Sequence, residues 1–94
     1  MTKIHPQAPK VVVYTKPSCV QCDATKTKLD RLDVPYTLLD ITKDPEAHAA
    51  AKALGYLQAP VVTCGDLHWA GYSPDKLTKL SDNLKAWEPA TVDA

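Results

Sequence analysis

The chain lacks any apolar run long enough to cross a bilayer, and its opening residues, Met-Thr-Lys-Ile-His-Pro-Gln-Ala-Pro, contain no apolar signal core. These absences point to a cytoplasmic protein with no membrane partner. A charge imbalance is also missing: 11 Lys+Arg meet 11 Asp+Glu, for a formal net charge of zero. No basic field is left to draw in nucleic acid or an anionic surface. There is no internal repeat and no low-complexity stretch. Cysteines are few and odd in number, three in all, a poor basis for a disulfide scaffold. In the cytoplasm structural disulfides are rare in any case. What is present suits one globular domain over residues 1–94, because 94 residues that are 45% hydrophobic can bury a modest core. Residues 1–9, with two prolines and little periodicity, read as a flexible lead-in, and residues 88–94 read as a flexible tail.

Between these ends the pattern alternates. Lys10-Val-Val-Val-Tyr14 is a β-branched run fit for a buried strand, and Thr15-Lys-Pro-Ser18 breaks it. A helix follows from about Cys19 to Leu32, with Cys22, Thr25, Leu29 and Leu32 on its inner face. Tyr36 to Ile41 is a second strand. Asp44 as N-cap, Pro45 at the first helical position and Glu46 in the first turn announce a helix over 45–54. Its face is Ala47, Ala50, Ala51 and Leu54, and Gly55 closes it. Pro60 to Cys64 and Leu67 to Ala70 form a hairpin around Gly65-Asp66, with glycine where a positive φ is needed. Ser73 and Pro74 start a last helix running to about Trp87, striped by Leu77, Leu80 and Leu84. The order β-α-β-α-β-β-α predicts an α/β fold: a mixed four-stranded sheet with helices on both faces.

The chemistry lies at Cys19-Val20-Gln21-Cys22, where the first strand hands over to the first helix. Free N–H groups and the positive dipole end at a helix N-terminus stabilise a thiolate. Cys19 is therefore the expected nucleophile, with Lys16 adding positive charge nearby. Cys22, about one turn on, is placed to resolve the mixed disulfide. Asp23 should oppose a thiolate at Cys22, and the first strand holds no carboxylate to take the Cys22 proton. A Cys-x-x-Cys pair can also be half of a metal site, but Cys64, His5, His48 and His68 supply no tight second pair, so no metal is expected. The cysteine pair carries the electrons itself and calls for no cofactor. Ala59-Pro60 opens a strand after a loop. The residues alone leave it an edge breaker or a cis bond that lets residue 59 pair with an extended substrate. Cys64 lies roughly 13 Å along an extended strand from Pro60 and reads as a small, half-buried residue beside the hairpin turn. Trp69 and Trp87 read as packing residues, and the three histidines as surface residues.

Several segments together resemble the NrdH redoxins. Val13-Tyr-Thr-Lys-Pro-Ser-Cys-Val-Gln-Cys22 with Ala24-Thr25-Lys26 resembles their active-site segment, and Ala59-Pro60-Val61-Val62 their cis-proline strand. Gly65-Asp66 and Trp69-Ala-Gly-Tyr-Ser-Pro-Asp75 resemble their hairpin and the stretch after it. The resemblance covers about residues 11–80 and implies a thioredoxin-like fold with a cis proline. It also implies a dithiol–disulfide oxidoreductase reduced by NADPH-dependent thioredoxin reductase, with class Ib ribonucleotide reductase as the electron acceptor. Ala70, Tyr72 and Ser73 depart from the family's Ser, Phe and Arg. Ser73 is expected to cap the last helix in place of whatever network the arginine organises.

Lys16, Pro17, Val20, Gln21, Ala59, Pro60, Gly71 and Tyr72 are the expected partner-binding residues of a chain acting as a monomer, with Val20, Pro17, Pro60 and Tyr72 forming an apolar rim. Two alternatives stand beside this reading. One is a glutathione-dependent glutaredoxin, against which the missing Cys-Pro-Tyr-Cys and the Tyr72 in place of a second glycine both count. The other is a module using Cys19 and Cys22 to hold a metal or iron–sulfur cluster.

Overall fold

The computed structural model describes residues 4–88. Its element order is β1 (Val11–Thr15), α1 (Val20–Arg31), β2 (Tyr36–Asp40), α2 (Pro45–Ala53), β3 (Val61–Cys64), β4 (Leu67–Ala70) and α3 (Pro74–Lys85). The four strands form one sheet in the order β2-β1-β3-β4. β1 runs parallel to β2 with Val13 opposite Leu38, and antiparallel to β3 with Val13 opposite Val62. β3 and β4 are a hairpin with Cys64 opposite Leu67. The architecture is the mixed four-stranded sheet expected from the order of elements, in the thioredoxin-like arrangement that the resemblance implies.

Alternation along the strands sorts the core. Val11, Val13 and Val62 meet Leu29 of α1 and Leu77, Leu80 and Leu84 of α3, with Trp69 from β4. Leu29 and Leu77 are fully buried, each contributing about 2 kcal/mol of transfer free energy. Ala47 and Ala51 of α2 are buried against the opposite face, over β1 and β2. Small side chains let that short helix sit close to the sheet. The helix starts are capped as the sequence suggests. Asp44 accepts the Glu46 and Ala47 N–H groups, and Ser73 accepts the Lys76 N–H at 3.4 Å. Gly55 follows α2 at φ 91°, and Gly65 opens the hairpin turn at φ 58°.

Four expectations need correction. α2 ends at Ala53 and leaves Leu54 37% exposed, because a nine-residue helix presents only Ala47, Ala50 and Ala51 to the sheet before Gly55 turns the chain away. α3 ends at Lys85, with Ala86 as C-cap, so Trp87 lies past the helix and packs its ring on His5, centroids 5.2 Å apart. The stretch read as a flexible lead-in is packed where it is described: Ala8 is buried and Ile4 lies against the core. A turn closed by the Ala8 N–H on His5 C=O at 2.9 Å carries it there. Such packing leaves no periodicity to read. Cys64 is buried rather than half-buried, with its thiol against the Pro9 carbonyl oxygen at 3.6 Å. Residues 1–3 and the tail from 89 onward lie outside the described residues.

Candidate active site

The site is built where β1 ends. The loop Lys16-Pro17-Ser18 is exposed, and Ser18 turns through the left-handed region at φ 56° to bring Cys19 to the N-cap of α1. Cys19 has extended backbone there, and its sulfur accepts the Cys22 N–H at 3.1 Å. A sulfur thus does the work that a serine or aspartate oxygen usually does at an N-cap. Cys19 and Cys22 are joined in a disulfide with Cα atoms 5.1 Å apart, a span that one helical turn supplies. Cys22 is completely buried, whereas Cys19 keeps 8% of its surface exposed. Below them, fully buried Thr25 donates its hydroxyl to the Gln21 C=O at 2.8 Å. That bond places a hydroxyl on the inner face without leaving it unpaired.

The second wall is the segment before β3. The Ala59-Pro60 peptide is cis, and the Ala59 carbonyl oxygen lies 3.9 Å from the Cys19 sulfur. Pro60 itself is fully buried, so its ring is absent from the apolar rim in which it was expected. Burial follows from its position at the head of central strand β3. The Pro60 C=O accepts the Gly71 N–H at 2.8 Å, which ties in the third segment. Gly71 has φ 85°, and the next N–H, of Tyr72, donates to the Gln21 side-chain oxygen at 3.0 Å. Gln21, Ala59, Pro60, Gly71 and Tyr72 are therefore brought together around the disulfide.

The surface over this junction is apolar. Val20 is 84% exposed on the first turn of α1, and Tyr72 is 37% exposed. Leu57, two residues before Ala59, is 90% exposed and borders a shallow hollow with Ala51, Lys52 and Tyr56 on the α2 side; it is not among the expected site residues. The available signal was a lone leucine in a loop bounded by Gly55 and Pro60. Lys16 is exposed, and the ion pair described near the site is Lys26 with Asp23 at 3.3 Å. That pairing sets a positive charge against the Asp23 carboxylate, on the solvent side of the helix. Cys64 stands at the far end of β3, opposite Val11 and Leu67, where burial pushes its thiol pKa up. Among the described residues no three His, Cys, Asp or Glu side chains gather into a metal-holding group. No described helix is long and apolar enough to cross a membrane.

The comparisons with known proteins agree with this geometry. A glutaredoxin family model matches residues 11–69. The glutaredoxin-like protein NrdH of Escherichia coli (strain K12) is 38% identical over 71 residues, 76% of this chain and 88% of that protein. NrdH of Lactococcus lactis subsp. cremoris is 32% identical over 71 residues, covering 99% of its own length. Among solved structures, NrdH-redoxin from Escherichia coli matches with a TM-score of 0.72 at 35% identity, covering 87% of this chain and 99% of that one. A glutaredoxin from Archaeoglobus fulgidus matches with a TM-score of 0.65 at 30% identity, over 80% of this chain and 87% of that one. With the family model spanning more than half of the chain and such relatives aligned along most of it, this protein belongs to the glutaredoxin family, among its NrdH redoxins, and is a thiol–disulfide oxidoreductase.

Proposed function

We propose that the chain is a cytoplasmic electron carrier, working as a monomer, that takes two electrons from an NADPH-dependent thioredoxin reductase and delivers them to a protein disulfide. Class Ib ribonucleotide reductase is the acceptor that the family relationship favours. The observation that carries the reading is the Cys19–Cys22 disulfide at the N-cap of α1, with the Cys19 sulfur beside the Ala59 carbonyl.

In the reduced protein the Cys22 N–H and the α1 dipole stabilise negative charge on Cys19. The Cys19 thiolate attacks one sulfur of the substrate disulfide. A Cys19–substrate bond forms, and the other substrate sulfur leaves as a thiolate that takes up a proton. Cys22 then gives up its proton and attacks the Cys19 sulfur. The internal disulfide forms, and the second substrate thiol is released. Two electrons have moved to the substrate. A reductase dithiol returns two electrons and protons to Cys19 and Cys22 by the same exchange in reverse. An extended substrate segment fits beside residue 59, where main-chain pairing would hold the scissile disulfide over Cys19.

A protein donor is favoured over glutathione by the character of the rim. Exposed Val20 and Tyr72 offer apolar area, and Gly71 is followed by a tyrosine rather than a second glycine. Glutathione has little apolar area to bury and depends on pre-placed polar groups. The Escherichia coli NrdH-redoxin, described as glutaredoxin-like with a thioredoxin-like activity profile, is consistent with the same choice. The division of labour is tested with single variants. Cys22→Ser should accumulate a mixed disulfide with a protein substrate, and Cys19→Ser should not. Trapping by Cys19→Ser instead would reverse the two roles.

A further inference from the structure

The side chain of Gln21 spans two parts of the site that the cysteine chemistry does not itself join. It sits between the two cysteines in the first turn of α1, yet its oxygen accepts the N–H of Tyr72, 51 residues away, at 3.0 Å. The same oxygen is the nearest atom to the empty side-chain position of Gly71, 3.3 Å from where a Cβ would stand. The turn after β4 is thus held at two consecutive N–H groups. Gly71 is tied to the Pro60 carbonyl and Tyr72 to Gln21. Gln21 is held from behind, since its main-chain carbonyl accepts the buried Thr25 hydroxyl.

The Tyr72 N–H is a consequential group to occupy. It lies one residue before Ser73, the N-cap of α3, where the helix dipole and free N–H groups favour a negative charge. It also lies within one side chain's reach of the disulfide. A small thiol bearing carboxylates, as glutathione does, would gain a charge-assisted hydrogen bond there. With the Gln21 oxygen on that donor, the carboxylate meets a filled position and a partial negative charge. A protein partner needs no such donor, because it meets the outer side of the turn, the Tyr72 ring and Val20.

We propose that Gln21 is a positioning residue that sets donor selectivity: its carboxamide latches the Gly71-Tyr72 turn, denies the Tyr72 N–H to the carboxylate of a small thiol, and holds Tyr72 in the pose a protein donor meets. The inference rests on the thioredoxin-reductase reading above and refines it.

Three variants test the latch. Gln21→Ala removes the side chain, Gln21→Met keeps its length without the acceptor, and Gln21→Glu keeps an acceptor oxygen and adds charge. Two measurements are made on each. One is the hydrogen-exchange rate of the Tyr72 amide in the oxidised protein. The other is the rate of disulfide reduction by glutathione with glutathione reductase, set beside KM and kcat with thioredoxin reductase. Gln21→Ala and Gln21→Met should speed Tyr72 exchange and raise the glutathione-driven rate by about two- to ten-fold, the range that one hydrogen bond of this kind commands. With thioredoxin reductase their effect should fall on KM rather than kcat. Gln21→Glu should keep the amide slow and the glutathione rate low. Unchanged Tyr72 exchange in Gln21→Ala and Gln21→Met would overturn the latch. So would faster exchange with no gain in the glutathione rate. If the unaltered protein already works well with glutathione and Gln21→Met works better still, the latch stands and the donor reading fails.

Discussion

The main-chain N–H of Cys22 donates to the sulfur of Cys19 at 3.1 Å, so the N-cap of α1 and one half of the redox pair are the same atom. That arrangement makes the two cysteines unequal in charge preference as well as in access. After reduction, iodoacetamide at neutral pH should label Cys19 first. Cys22, fully buried, and Cys64, whose thiol ionises only above its usual range, should lag. Peptide mapping at short times reads the order. Early labelling of Cys22 or Cys64 would contradict it.

Gly55 and Gly71 offer a controlled comparison. Both have φ near 90°, but a Cβ on Gly55 would meet nothing within 4 Å, whereas one on Gly71 would meet the Gln21 oxygen at 3.3 Å. Gly55→Ala should therefore cost only the conformational penalty of a left-handed alanine, about 1 kcal/mol. Gly71→Ala should cost more, by up to about 1 kcal/mol, because the Gln21 carboxamide must shift by a few tenths of an ångström and its hydrogen bond to the Tyr72 N–H weakens. Urea unfolding of the two variants measures the difference, and equal losses would refute the crowding.

Alkaline pH should weaken the oxidised protein through Cys64. Burial raises its thiol pKa in the folded state above that of the unfolded chain. The stabilisation is complete below the unfolded thiol's pKa, about 8.5, and is lost as pH rises from there through the folded value. Tyr36 acts in the same direction at higher pH, its hydroxyl pKa raised by burial and by the hydrogen bond it donates to Asp30. Between about pH 8 and 9.5, the fall in urea midpoint should therefore be smaller in Cys64→Ala than in the unaltered protein. Parallel curves would show that Cys64 does not carry the effect.

Two leucines mark the difference between core and surface. Leu77 is fully buried among β1, β3 and α1 residues, and Leu77→Ala should cost about 2–5 kcal/mol. Leu57 is 90% exposed, and Leu57→Ser should change stability by no more than about 0.5 kcal/mol. A large loss from Leu57→Ser in thermal unfolding would mean that the loop before Pro60 packs in solution.

Much of this was legible in the sequence, for identifiable reasons. Asp44-Pro45-Glu46 and Ser73-Pro74 set the helix starts, because capping is chemistry between neighbours. The placement of Cys19 and Cys22 followed from one strand ending and one helix beginning. What escaped was non-local. The Gln21–Tyr72 hydrogen bond joins residues on different elements, and neither residue type announces the other. Ala8 and Ile4 pack because a proline-stiffened turn lays them on the core, and no periodic pattern records that. The burial of Pro60 at the head of central strand β3 and the exposure of Leu57 are likewise set by neighbours in space, not in sequence.

Whether a protein donor loads the Cys19–Cys22 dithiol is decided by comparing two reducing systems. Steady-state NADPH consumption is followed with a protein disulfide as acceptor. Thioredoxin reductase is supplied in one arm, and glutathione with glutathione reductase in the other. Turnover should be fast in the first arm, much slower in the second, and absent from both in Cys19→Ser. Comparable or faster turnover with glutathione would contradict the account and place this protein with the glutathione-dependent glutaredoxins.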